Sequence, residues 1–353
     1  MKIAIDCRHI GYSGIGIYLR ECLPFFFDSK NDFLLFGNLE KLNFLTRQTN
    51  FEIIPCSIKP FSLHDTFAFP QVLLKKINSC SLFYSPYFNI PCGIKIPVYT
   101  TIHDIIFPDM PFLTSKPGLA MRMWFYRRAY KRSEKIFTVS NFSKSRIESH
   151  LGKSKPVIVT YSAIQRKFAD LNSRPEKLNK NNTILFIGNI KKHKGLDCLL
   201  QAFSFAKKEG LPHKLIIIGS AENFRSSDKE ILLKINSLSP KEIAIVNHVN
   251  DNMLMEYITS ASLLIQPSLY EGFCLPPLEA LILGTNVLIS DIPVLQEIYE
   301  GFPVTFFKAG DPIDLKTKIL LLLKNQEKIN LPNSLASKYT FGKTANTILG
   351  ELK

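Results

Sequence analysis

Two carboxylates eight positions apart, Glu271 and Glu279, stand out in the stretch SLYEGFCLPPLE at 268–279. On one continuous helix they would lie about 12 Å apart along the axis, too far for the acid and base of glycoside hydrolysis. The Pro276-Pro277 pair decides their placement. Pro277 suits the first helical position, which leaves Glu271 in the preceding loop and puts Glu279 in the first turn. The backbone of Gly272, Phe273, Cys274 and Leu275 can then turn its N–H groups toward one ligand. Carboxylates so placed suit polyols, because a vicinal diol offers two donors to one bidentate acceptor. Glu279 taken alone reads equally as a partner for a helix dipole.

Three further constellations follow apolar runs. In GNIKKHKG at 188–195, three lysines sit at a strand-to-helix turn, ahead of a helix expected over 196–205. They form either a solvated basic turn or a site for a diphosphate. The Walker spacing is absent. Thr101-Ile102-His103-Asp104 ends the run PVYT, where a His can orient or deprotonate a hydroxyl. Neighbours on an extended chain point to opposite sides, so His103 and Asp104 are not expected to form a relay. Gly11-Tyr12-Ser13-Gly14-Ile15-Gly16 follows the first apolar run and precedes a helix expected over 17–24. Its spacing is not the dinucleotide fingerprint, leaving a plain turn or a loop near an anionic ligand.

Short β-branched runs at 3–6, 33–36, 81–84, 97–101 and 135–139 alternate with amphipathic stretches, and so do runs at 183–187, 213–218, 243–248, 263–266 and 286–290. Continuous apolar strands separated by helices imply parallel sheets covered on both faces. The polar segment at 172–182, NSRPEKLNKNN, reads as a linker. The expected architecture is α/β, with two doubly wound, Rossmann-like domains facing across a cleft. Ligands in such sheets bind at the carboxyl ends of the strands.

Length and composition narrow the class. The chain has 353 residues, 46% hydrophobic and 21% charged, enough for two packed domains. Seven cysteines without a C-x-x-C pair argue against a disulfide scaffold and a zinc ribbon. No apolar run reaches membrane-spanning length, and the N-terminus reads as a buried strand and not a signal peptide, so a cytoplasmic location is expected. The net charge of +14 is uneven: residues 1–175 hold 24 basic and 12 acidic side chains, the remainder 20 and 18. Such a basic half points to an anionic partner. Its densest stretch is KPGLAMRMWFYRRAYKRSEK at 116–135. As a helix it places Met123, Tyr126, Arg127 and Tyr130 near one face, with Arg128 and Arg132 rotated away. It reads as a surface helix with an aromatic inner face, or as a helix meeting anionic lipid through Arg127, Arg128 and Lys131. No zinc finger or other recognisable motif supports nucleic-acid binding.

At these motifs the chain resembles the glycosyltransferase family four group, retaining enzymes of the glycosyltransferase B architecture, in a mannosyl- or rhamnosyltransferase-like form. EGFCLPPLEA matches the family's Glu, seven residues, Glu motif. The resemblance implies that Glu271 contacts donor-sugar hydroxyls, that Glu279 holds the nucleotide ribose, and that the backbone of Gly272 to Leu275 lies by the sugar and diphosphate. It also puts the phosphate-contacting Lys at Lys194, the glycines near the diphosphate at Gly14 and Gly16, and the active-site His at His103. VSNFSKS at 139–145 and DIPVLQEI at 291–298 resemble other recurring stretches. SKYTFGKTA resembles a C-terminal helix that crosses back onto the first domain. The implied boundaries are 1–172 for acceptor binding, 173–335 for the nucleotide sugar and 336–353 for that helix.

Three positions depart from the pattern. Asn189 replaces a common Arg, leaving Lys191 or Lys192 to supply the charge. Cys274 stands where Gly is common, and Phe341 where Trp is. The resemblance implies a metal-independent hexosyl transfer, without a cofactor, from a nucleotide diphosphate sugar to a glycan or polyprenyl diphosphate-linked acceptor in bacterial polysaccharide or O-antigen assembly. GDP-mannose is the preferred donor, with peripheral attachment at the inner membrane. The rival readings are a non-transferring sugar-nucleotide enzyme such as an epimerase, and a basic nucleic-acid-binding protein.

Overall fold

A computed structural model describes the chain except residues 12, 46–49, 170–179, 220–234, 236–240, 248, 326–328 and 330, and the side chain of Ser13. The chain forms two compact units, Met1–Gln165 with Tyr339–Lys353, and Arg166–Lys338. The expected boundary at 172/173 lies outside the described residues, and the division between units falls at Gln165/Arg166.

The first unit is a seven-stranded sheet in the order β3-β2-β1-β4-β5-β6-β7. Its strands are β1 Lys2–Asp6, β2 Asp32–Gly37, β3 Phe51–Pro55, β4 Leu82–Ser85, β5 Val98–Thr101, β6 Ser133–Thr138 and β7 Val157–Val159. The second is six-stranded, β10-β9-β8-β11-β12-β13, from β8 Asn181–Ile187, β9 Lys214–Ile218, β10 Ile243–Val246, β11 Ala261–Gln266, β12 Asn286–Ser290 and β13 Thr305–Phe307. Every pairing is parallel. Central strands are buried on both faces, which is why they read as unbroken apolar runs. In each sheet the order reverses once, between β1 and β4 and between β8 and β11. Loops leaving neighbouring strands diverge there and open a crevice at the carboxyl ends.

Three strands have no counterpart in the apolar pattern: β3, β7 and β13. All are edge strands, and none presents a wholly buried run. The first helix, Ser13–Phe27, begins four residues earlier than expected and runs through Pro24. Its inner face buries Tyr18, Leu19, Cys22, Leu23 and Phe26 almost completely. That burial outweighs the backbone bond that Pro24 cannot make. Gly14 and Gly16 therefore occupy the first helical turn and not a preceding loop. The C-terminal helix, Phe341–Glu351, belongs to the first unit. Gly342 lies against the Phe25 ring, and Lys135 Nζ meets Glu351 Oε2 at 2.6 Å.

Candidate active site

In the second unit, the loops leaving β8 and β11 meet at the reversal of strand order. Leu269 N donates to the His193 carbonyl at 2.8 Å, tying the two loops together. Gly195 makes the approach possible. Its φ is +69°, and a Cβ there would sit 1.8 Å from the Pro267 carbonyl oxygen. Only glycine fits. This junction brings Lys194 onto Glu271, with Nζ 2.7 Å and 2.9 Å from the two carboxylate oxygens. Ser268 Oγ donates to Glu271 Oε1 at 2.7 Å, and Gln266 Nε2 donates to Ser268 Oγ at 3.0 Å.

The charge state follows from these contacts. Burial pushes the Glu271 carboxyl up, but the Lys194 charge and the bonds from Lys194 and Ser268 outweigh it and hold the group below its ordinary 4.5. Glu271 is therefore an ionised acceptor at neutral pH and not a proton donor. His193 is lowered to about 4 by burial and then by Lys194, so it adds no positive charge at neutral pH.

From Glu271 the chain turns through Gly272 and Phe273 into Cys274, whose φ of +76° is left-handed. This geometry explains why glycine is at home at that position. Two groups hold the turn. Tyr299 Oη donates to the Cys274 carbonyl at 2.5 Å and accepts Leu278 N–H at 3.1 Å. The Cys274 thiol hydrogen-bonds Glu271; burial first, then the Glu271 charge, raise it well above its ordinary value, so it stays protonated. Helix Pro276–Ile282 follows. Pro276 opens it, one residue earlier than the spacing indicated. Glu279 lies in its first turn and is buried, whereas Asn189, just past β8, is exposed.

The first unit carries a second cluster. His103, just beyond β5, has Nε2 3.0 Å from the Pro86 carbonyl beyond β4, and its ring stands edge-on to Tyr18 at 4.9 Å. A carbonyl can only accept, so Nε2 carries the proton and Nδ1 keeps its lone pair. Burial lowers the imidazole to about 4. It is thus suited to accept a hydrogen bond from a hydroxyl and too weak a base to deprotonate one at neutral pH. Beside it, Asp104 Oδ1 accepts Ile106 N–H at 3.3 Å. Gly16 fits beneath the loop before it, where a Cβ would lie 2.6 Å from the His9 carbonyl oxygen. Gly14 faces open space, where a Cβ would meet nothing within 4 Å.

Sequence reasoning missed the buried network that ends β1. Arg8 bonds Asp6 through Nε at 2.9 Å and Nη2 at 2.6 Å, and Asp65 through Nη1 at 2.7 Å. Asp65 also accepts Phe61 N–H and Asn89 Nδ2. An alternating Asp6-Cys7-Arg8 after an apolar strand was the available signal; Asp65, 57 positions from Arg8, gave none.

Along helix Lys116–Arg132, Phe125, Tyr126, Ala129 and Tyr130 are buried while Arg127 and Lys131 are exposed. Arg127 therefore does not share the inner face with Tyr126. Arg128 is half-buried, its Nη1 on the Ile90 carbonyl, and braces the fold.

Two family models match in succession: Glycosyltransferase Family 4 over residues 24–167, and Glycosyl transferases group 1 over 169–338. The chain belongs to these glycosyltransferase families, one domain type in each unit. It is 26% identical to the O-antigen chain mannosyltransferase RfbU of Salmonella typhimurium over 68% of this chain and 65% of the relative. It is 28% identical to O-antigen chain mannosyltransferase B of Escherichia coli over 62% of this chain and 58% of the relative. The matches thus span less than two thirds of these relatives' length. Among solved structures, HepE of Anabaena in complex with UDP-glucose superposes with a TM-score of 0.72 at 16% identity, covering 100% of this chain and 99% of that one. The lipopolysaccharide outer core galactosyltransferase WaaB, in its apo form, gives 0.63 at 16% identity with full coverage of both. The fold is that of the glycosyltransferase B enzymes.

Proposed function

We propose that the chain is a retaining, metal-independent glycosyltransferase that moves a hexosyl unit, mannose from GDP-mannose, to a glycan or polyprenyl diphosphate-linked acceptor in bacterial polysaccharide or O-antigen assembly. One observation carries this reading: an ionised carboxylate and a lysine held together at the strand-order reversal of the second unit. The two relatives, each named as an O-antigen mannosyltransferase, support the choice of sugar and pathway.

The chemistry follows from the two charges. Cleavage of the sugar–phosphate bond leaves negative charge on the departing diphosphate and positive character on the sugar. Lys194, with Lys191 and Lys192 nearby in sequence, receives the first without needing a divalent ion. Glu271 accepts from sugar hydroxyls and, being ionised, favours the positive sugar. Backbone N–H groups from Gly272 to Leu275, held by the Cys274 turn, face the diphosphate, and Glu279 binds the ribose. On this reading Asn189 also contacts the donor within the second unit, and Gly14 and Gly16 of the first helix are assigned to donor binding by the family resemblance alone. His103 offers Nδ1 to a substrate hydroxyl. The leaving diphosphate assists attack on the same sugar face, which retains the anomeric configuration.

A thermal-shift screen across nucleotide sugars, with transfer to a lipid-linked acceptor assayed for any hit, tests the reading. GDP-mannose at about a hundredfold excess over its dissociation constant should add about 2.7 kcal/mol of stability. A screen in which no nucleotide sugar raises the melting temperature would refute it.

A further inference from the structure

We infer that one face of the first unit is a docking surface for an anionic lipid bilayer, built from helix Lys116–Arg132 and the short helix Leu63–Phe67. It uses no part of the donor site. Among the described residues, no helix is long and apolar enough to cross a membrane. Yet large apolar side chains stand in solvent on this face: Leu63 is 76% exposed, Phe67 70%, Met121 55% and Trp124 45%. They are one patch. The Phe67 and Trp124 rings lie 6.4 Å apart. Leu63 is one turn before Phe67, and Met121 one turn before Trp124.

The same face of the longer helix continues into charge. Arg127, Arg128 and Lys131 lie three, four and seven residues beyond Trp124, with the Arg128 guanidinium 5.9 Å from the Trp124 ring. The opposite face, including Phe125, Tyr126 and Ala129, is packed into the core, so the orientation is fixed.

Charge complementarity decides the occupant. Between Glu52 and Glu134 the chain has ten lysines and arginines but only three carboxylates, Asp65, Asp104 and Asp109. Asp65 is buried under Arg8. The Asp109 side chain is 8% exposed and bound by Arg146 and His150. Asp104 is half-buried. An exposed apolar patch beside the exposed Arg127 and Lys131, with the one exposed carboxylate nearby in sequence, Glu134, beyond the end of the helix, is the pattern of an interfacial anchor: tryptophan and aliphatic groups enter the headgroup boundary while arginine and lysine meet lipid phosphates.

Trp124 is the only tryptophan in the chain, so the full-length protein reports on its own docking. Vesicles containing phosphatidylglycerol should shift its fluorescence to the blue, and brominated acyl chains should quench it. Pure phosphatidylcholine should do much less. Each basic group near an anionic surface strengthens association about fivefold, so Arg127→Gln with Lys131→Gln should weaken sedimentation with anionic vesicles roughly thirtyfold. Leu63→Ser with Phe67→Ser should also release the protein, with its melting temperature retained. An unshifted Trp124 spectrum with anionic vesicles would overturn the proposal, as would equal binding to both vesicle types or undiminished binding by the two double variants. A blue shift that appears on raising protein concentration without lipid would overturn it too, and would give the face to a second copy of the chain.

Discussion

Cys274 bears a cost that glycine would not. A left-handed backbone costs an L-residue roughly 1–2 kcal/mol, and here the Tyr299 hydroxyl spans from the Cys274 carbonyl to the Leu278 amide to hold it. Tyr299→Phe should therefore harm the native protein more than it harms the Cys274→Gly variant, where the turn needs no brace. A double-mutant cycle on melting temperature should give a coupling of about 1 kcal/mol; additive effects would mean that Tyr299 packs without holding the turn. The residue scale also sets the acid limit. His103 and His193 both bind protons only near pH 4, against an ordinary 6.5. The unfolded chain takes up those protons first, so their contribution is intact above about pH 6.5 and is lost as pH falls toward 4. Glu271, depressed below its ordinary value, adds a loss at still lower pH. Imidazole titration by NMR should find both histidines neutral at pH 6, and a His103 midpoint near 6.5 would contradict the buried Nε2–H tautomer.

At the scale of elements, the strand-order reversal in the second unit does the positioning, and Gly195 makes it possible. Gly195→Ala forces a φ of +69° on an L-residue and drives a methyl into the Pro267 carbonyl. Unfolding should become easier by more than about 1–2 kcal/mol, and nucleotide-sugar affinity should fall with it, as measured by denaturant titration and calorimetry. Retained affinity would mean that the two loops need not touch for the site to work. Much of this level is legible in the sequence. Central strands announce themselves because both faces are buried, and the loops that follow them carry Lys194, Glu271 and His103. The Pro-Pro pair separates a loop glutamate from a helical one, with an error of one residue in the helix start. The edge strands Phe51–Pro55, Val157–Val159 and Thr305–Phe307 are not legible because half-exposed edges lack an unbroken apolar signature. The first helix extends beyond its sequence pattern at both ends, since neither the burial of Phe26 nor the fit of Gly16 under the His9 carbonyl is local information.

Over the whole molecule, charge is sorted by unit and by depth. The first half carries nearly all the basic excess, while its centre hides a fully buried Asp6–Arg8–Asp65 triad. No periodicity could reveal that triad, because Asp65 arrives from a distant helix. Arg8→Met would leave two carboxylates uncompensated in the core and should cost about 3–5 kcal/mol. A loss below about 1 kcal/mol in urea unfolding would show that the network is solvated.

The central claim is that Lys194 and Glu271 bind opposite ends of one donor, and calorimetry on single variants tests it most directly. Lys194→Ala should weaken both a nucleotide sugar and the bare nucleoside diphosphate, whereas Glu271→Gln should weaken the nucleotide sugar and leave the bare diphosphate nearly unchanged. If both variants bound both ligands as the native protein does, the donor site would lie elsewhere.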